Sequence, residues 1–223
     1  MVFIVRRERL DEVKRTRLME AAAEEFAKRG VESASYNKII EKSGLSKGTV
    51  YYYFDNKDSL LSTVLDEICE RFRRSIGDLR LPNTKEEYWA TAEEYHSRAM
   101  KFFLGNPIAW RVLLWISKDL PRNDEYIEAC HTRTTRFLGD LIVRGREIGA
   151  VRDDFPVETA QRLMHAIGKI LSTDILKYGE EEVSTQATGG EEQAKIEKFM
   201  RMMHDLSRRI LTPEEDLICC EHY

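Results

Sequence analysis

Residues 35–57, SYNKIIEKSGLSKGTVYYYFDNK, admit few folds. Ser35 is placed to cap a helix that carries Ile39 and Ile40 on its apolar side. Gly44 suits the left-handed position that ends such a helix, because it has no Cβ to clash. Leu45 is placed in the corner, and Ser46 can cap a second helix. That second helix, residues 47–54, is short. It opens on Lys47, Gly48 and Thr49, turns Val50 and Phe54 inward at i,i+4, and shows Tyr51, Tyr52 and Tyr53 around the rest. A hairpin that only packs does not need small and polar groups followed by three tyrosines. A helix that enters a DNA groove tip-first does, so the stretch reads as a helix-turn-helix with residues 47–54 as its recognition helix.

Chemistry assigns roles within it. Lys47 can donate to guanine O6 and N7 or to a phosphate. Gly48 lets backbone approach the groove, and the Thr49 methyl can meet a thymine methyl. Tyr51, Tyr52 and Lys57 are placed to donate to phosphates, as is the exposed amide at the helix start beside Ser46. Ser35 and Tyr36 can clamp a neighbouring phosphate from the first helix of the motif. Tyr53, beside Phe54, reads as packing. Arg6, Arg7 and Arg9 read as a frayed terminus rather than a minor-groove arm.

The run Ser46-Lys47-Gly48-Thr49-Val50-Tyr51-Tyr52-Tyr53-Phe54, with Asn56-Lys57 and Leu60-Leu61 behind it, resembles the signature of the TetR (tetracycline-repressor) family of bacterial transcription regulators. Upstream, Leu18, Ala21, Ala22, Phe26 and Gly30 are similar to that family's first helix. Glu25 stands where the family more often carries an apolar residue. The motif covers about the first quarter of the chain; beyond it only length and helical layout agree. The resemblance implies an all-helical fold, with an N-terminal helix-turn-helix domain and a larger C-terminal domain that dimerises and holds a small-molecule inducer.

The formal net charge of −4 at first argues against a nucleic-acid partner. Its distribution does not. Residues 1–57 carry 12 Lys and Arg against 9 Asp and Glu, net +3, whereas the remainder carries 23 against 30, net −7. Phosphates sense local charge within a Debye length of about 10 Å. With 42% apolar residues the chain can build a core and is too apolar for disorder. No apolar run approaches a membrane-spanning length, the N-terminal arginines follow rather than precede the short apolar patch, and Cys69, Cys130, Cys219 and Cys220 lack zinc-site or disulfide-framework spacing. A reduced cytoplasmic setting is expected.

The first helix is expected over about 11–29, ended by Gly30, and a fourth over about 56–79, with a break at Pro82. The organisation expected is a DNA-binding domain over 1–57, a helical ligand-binding and dimerisation domain over 58–212 with the fourth helix as connector, and a mobile tail over 213–223. Helices are expected at about 85–104, at a start set by Asn106-Pro107, and over 124–148. The aromatic density of the first two, which hold all three tryptophans, fits either a cavity for an apolar or aromatic molecule or ordinary core. The family resemblance favours the cavity, with Trp89, His96, Phe103, Trp110, Trp115 and Phe137 as its lining. His96 lies among apolar neighbours, where it meets a ligand or, more simply, bonds a neighbouring helix.

Amphipathic helices over about 157–178 and after residue 190 put Leu163, Ile167 and Leu171, then Phe199, Met203 and Leu206, on two stripes. In the resembled family such helices form a four-helix interface in the homodimer. A dimer also suits a short recognition helix, since two on a two-fold axis read a palindrome. The partners expected are palindromic double-stranded DNA, a second copy of the chain and an inducer, with no membrane, no enzymatic activity and no cofactor. Two rivals come from other classes. Glu93-x-x-His96 and Glu128-x-x-His131 are spaced as in di-metal carboxylate bundles, and a DNA-binding domain can also organise a chromosome without regulating transcription.

Overall fold

The computed structural model describes residues 11–118, 124–164, 166–167, 170 and 189–214, and every described element is helical. In chain order these are α1 (Glu12–Ser33), α2 (Tyr36–Ser43), α3 (Lys47–Tyr53), α4 (Lys57–Ile76), α5 (Lys85–Leu104), α6 (Pro107–Lys118) and α7 (Asp124–Glu147). Then come α8, helical at 157–164, 166–167 and 170, and α9 (Gly189–Leu211). The all-helical expectation holds. Residues 1–10 and 215–223, with Arg6, Arg7, Arg9, Cys219 and Cys220, lie outside the described residues.

Capping chemistry sets several boundaries. The Asp11 carboxylate accepts from the amides of Val13 and Lys14, so α1 begins at Glu12. Asn56 Oδ1 accepts from Ser59 N at 2.8 Å, and Ser59 Oγ donates back to Asn56 O at 2.9 Å, which fixes the start of α4. Before α5, Thr84 Oγ1 accepts from Glu87 N while Glu87 Oε2 accepts from Asn83 N, a reciprocal pair of the capping-box kind. Gly30 adopts φ 77° within α1, so the regular helix breaks there and a further turn carries it to Ser33.

The chain forms two compact units. The first comprises residues 1–74 and 105–133, the second 75–104 and 134–223. In the first, Leu18, Ala22 and Phe26 of α1 lie fully buried at i,i+4 spacing, joined by Ile39, Val50 and Leu60. Each large apolar side chain so buried contributes roughly 1.5–3 kcal/mol. The far-separated α6 packs on α1, and Trp115 Nε1 donates to Ala27 O at 3.1 Å. Cys69, buried on α4, is disulfide-bonded. That pairing is not legible in the cysteine spacing, because spacing along a chain does not report which side chains a fold brings together.

In the second unit, α5 packs on α9, and Arg144 of α7 donates to Pro82 O at 2.9 Å and to Asn83 Oδ1 at 3.3 Å. Gly145 lets α7 close on α5, since a Cβ there would stand 2.5 Å from Tyr88 Cε2. Burial holds the Tyr88 hydroxyl well above the usual phenol range.

Candidate nucleic-acid interface

The local folding of residues 35–54 follows from their side chains. Ser35 Oγ accepts from Lys38 N, and Gly44 ends α2 at φ 68°. The turn is pinned from inside by Ser43, only 1% exposed, whose hydroxyl donates to Ile40 O at 2.7 Å and accepts from Leu45 N. Ser46 Oγ accepts from Thr49 N at 3.1 Å and lies 2.8 Å from the Thr49 hydroxyl, so both hydroxyls are engaged in starting α3. Val50 and Phe54 are buried.

The opposite side of α3 is open. Lys47 and Gly48 are exposed, and Tyr51 and Tyr52 are 47% and 52% exposed. A Cβ on Gly48 would meet nothing nearer than Ser46 Oγ at 3.9 Å. The domain's own packing therefore does not demand glycine at this position, and the missing Cβ leaves room for a body arriving from outside. Tyr51 meets Tyr36 edge-to-face at 5.3 Å, and Tyr52 meets Tyr53 likewise at 4.9 Å.

Two residues read from sequence as phosphate contacts also have internal partners. Tyr36 donates its hydroxyl to Phe54 O at 2.7 Å, tying α2 to the end of α3 and committing its one proton. Burial, then the neighbouring Tyr51 and Asp55, raise its pKa to about 12. The Lys57 ammonium donates to Glu32 O at 2.8 Å and Ala34 O at 3.1 Å, closing the end of α1 and keeping one of its three donors for other use. Sequence reasoning missed both, since backbone acceptors leave no trace in residue identity. Glu25, the residue out of pattern, accepts from Ser35 N at 3.1 Å and so anchors the entry to α2.

The second unit holds Trp89, His96, Phe103 and Phe137, whereas Trp110 and Trp115 lie in the first. Trp89 packs edge-to-face on Tyr88 at 4.9 Å and on His204 at 6.1 Å, with the Arg208 guanidinium 5.6 Å over its ring. Phe137 stacks on Tyr95 at 5.5 Å, and Phe103 meets Phe102 at 5.3 Å. His96 does not find the neighbouring-helix bond expected of it: its Nδ1 is buried without a partner among the described residues. Burial and the nearby His204 depress its pKa to about 4. The sequence could not reveal this, because the partner it lacks would have come from another helix.

On the last two helices Leu163 and Leu206 are 39% and 38% exposed, Ile167 is half-buried and Met203 is buried. The side chains of Leu171 and Phe199 lie outside those described, as do those of Glu128 and His131. Glu93 is exposed, and the Nδ1 of His96 is closed off from solvent. Among the described residues no three His, Cys, Asp or Glu side chains gather, and no helix is long and apolar enough to cross a membrane.

A capped helix-turn-helix with an open, tyrosine-flanked second helix defines a DNA-binding transcription regulator. The chain belongs to the TetR family: residues 18–64 match the model for bacterial regulatory proteins of the tetR family. It is 35% identical over 159 residues to the transcriptional regulator UidR of Escherichia coli, covering 67% of this chain and 75% of that one. It is 24% identical over 157 residues to the repressor KstR2 of Rhodococcus jostii, covering 68% and 74%. A TetR family regulator from Shewanella sp. PV-4 has the same fold, with a TM-score of 0.73 at 16% identity over 90% of this chain and 99% of that one.

Proposed function

We propose that this protein is a cytoplasmic, ligand-responsive repressor that binds a palindromic operator as a homodimer and leaves it when a small molecule binds. The observation that carries the DNA-reading part is the surface of α3. Lys47, Gly48, Tyr51 and Tyr52 are exposed around a helix whose Val50 is buried, and Gly48 has no internal reason to be glycine. In this reading Lys47, with Gly48 and Thr49, meets base edges. Tyr51, Tyr52 and the third donor of Lys57 meet phosphates, and Ser35 and Tyr36 position the motif against the backbone.

Dimerisation is supported by apolar side chains left open on the last two helices. Leu163 and Ile170 on α8 are 39% and 61% exposed, and Met202 and Leu206 on α9 are 40% and 38% exposed. The inducer is assigned to the second unit, with Trp89, His96, Phe103 and Phe137 as contacts. Release works by population shift. A ligand that prefers the state with mis-spaced recognition helices draws the dimer from DNA, limited by its differential affinity for the two states.

The test is fluorescence-anisotropy binding to DNA upstream of the protein's own gene and to scrambled DNA of equal length, across a salt series. Tight, sequence-dependent binding with a steep salt slope is expected. Weak and equal binding to every sequence, across a wider set of genomic fragments, would overturn the reading.

A further inference from the structure

Two histidines on neighbouring helices of the second unit share one defect. The Nδ1 atoms of His96 on α5 and His204 on α9 are both closed off from solvent, and neither has a hydrogen-bond partner among the described residues. Leaving such a group unpaired is costly, and native structures keep few of them without a reason. The two sit on helices that pack together, and the His204 ring of α9 meets Trp89 of α5, two turns before His96, at 6.1 Å. On the other flank Tyr95 lies 5.8 Å from the His96 ring and stacks on Phe137.

We infer that His96 and His204 are the polar anchor of a binding site for a neutral aromatic ligand that carries a hydroxyl group. This deepens, and rests on, the reading of the second unit as the ligand-binding domain. The burial that keeps the His96 imidazole uncharged also penalises a charged ligand group beside it. A neutral imidazole Nδ1 is either donor or acceptor according to its tautomer. A hydroxyl satisfies either state, and a single one can give its proton to one nitrogen while accepting from another. A carbonyl or ether only accepts. The rings of Trp89, Tyr95 and Phe137 suit a flat apolar body. A metal ion fits less well, because two nitrogens fall short of the three or four protein ligands such ions take. No third ligand joins the pair among the described residues.

The experiment is equilibrium dialysis of the full-length protein, without DNA, against 2-naphthol, 2-methylnaphthalene and 2-naphthoate. The expected result is that 2-naphthol binds at least tenfold more tightly than either of the others. His96→Phe and His204→Phe should each bring it down to the level of 2-methylnaphthalene. His96→Gln, which keeps a donor and an acceptor, should retain the preference and guards against a variant that merely misfolds. In ¹⁵N-histidine spectra both imidazoles should shift with 2-naphthol and not with 2-methylnaphthalene. Equal binding of the naphthol and its methyl analogue, binding of none of the three, or a preference that survives both phenylalanine variants would overturn the inference. Operator affinity is measured apart: intact operator binding with failed dialysis overturns the ligand chemistry alone, whereas failed operator binding strikes the regulator reading.

Discussion

Trp115 closes over Gly30: a Cβ on the glycine would stand 3.0 Å from Cε3 of the indole, whose Nε1 donates to Ala27 O. Gly30 also sits at φ 77° and ψ 169°, a region held almost only by glycine that costs an L-residue about 1–3 kcal/mol. Both effects bear on Gly30→Ala, and adding atoms to a packed contact costs a further 1–3 kcal/mol or so. The variant should lose on the order of 2–4 kcal/mol in urea unfolding. Gly149→Ala is the comparison. It has φ 70° but meets only the end of the Lys85 side chain, Cε at 3.2 Å and Nζ at 3.7 Å, and that flexible chain can move. Its loss should be about 1–2 kcal/mol. Equal losses would mean that the indole yields freely.

Lys57 bears on both stability and the proposed phosphate contact. Its ammonium holds Glu32 O and Ala34 O, so Lys57→Met should lower stability by roughly 1–2 kcal/mol and weaken binding to every DNA sequence alike. Lys47, exposed at the start of α3, behaves differently. Lys47→Ala should leave the unfolding midpoint in place while lowering affinity and relaxing base preference. Paired melts and anisotropy titrations separate the two; a base preference unchanged in Lys47→Ala would displace it from base readout.

Gly48→Ala separates packing from approach. Nothing inside the domain crowds the new methyl, and alanine gains up to about 1 kcal/mol over glycine within a helix. The variant should melt at or above the parent temperature yet bind operator at least tenfold more weakly. Parent-like binding would show that no backbone approach occurs there.

The capped motif was legible because its devices are local. Ser35, Gly44 and Ser46 act on atoms within three residues of themselves, and the structure shows each in the place its chemistry suggests. The start of α5 at Lys85 and of α6 at Pro107 was equally plain from the cap residues before them. What was not legible depends on distant chain. Trp115 reads as one more aromatic of a ligand domain until α6 is seen packed on α1, with the indole bonded across 88 positions. The internal bonds of Tyr36 and Lys57 end on backbone carbonyls, which every residue carries. For His96 the missing partner is a property of what surrounds it.

His96 also makes stability depend on pH. Its pKa falls to about 4 in the folded chain from an ordinary 6.5, through burial first and His204 second. Between those values the unfolded chain binds the extra proton and the folded one does not, so stability falls as pH drops through this window and levels off below it. The full effect is roughly 3 kcal/mol at 1.36 kcal/mol per pK unit. His96→Gln should flatten this part of the urea-midpoint profile between pH 7 and 4. An unchanged slope would place the titration elsewhere.

The last two helices offer a test of assembly. Ile170 lies seven residues beyond Leu163, and Leu206 four beyond Met202, so each exposed pair lies on one face of its helix. Met203 points into the core instead, at 6% exposure, and is not available to a partner in this arrangement. Hiding four large side chains at about 25 cal/mol per Å² of apolar surface is a gain that a second copy can supply. Ile170→Glu combined with Leu206→Glu should therefore yield a folded monomer in sedimentation, since neither site is needed to close the protomer's own core. Its affinity for a full palindrome should drop to that for a half-site, while half-site binding stays at the parent level. A doubly substituted chain that remains dimeric would move the interface to another surface.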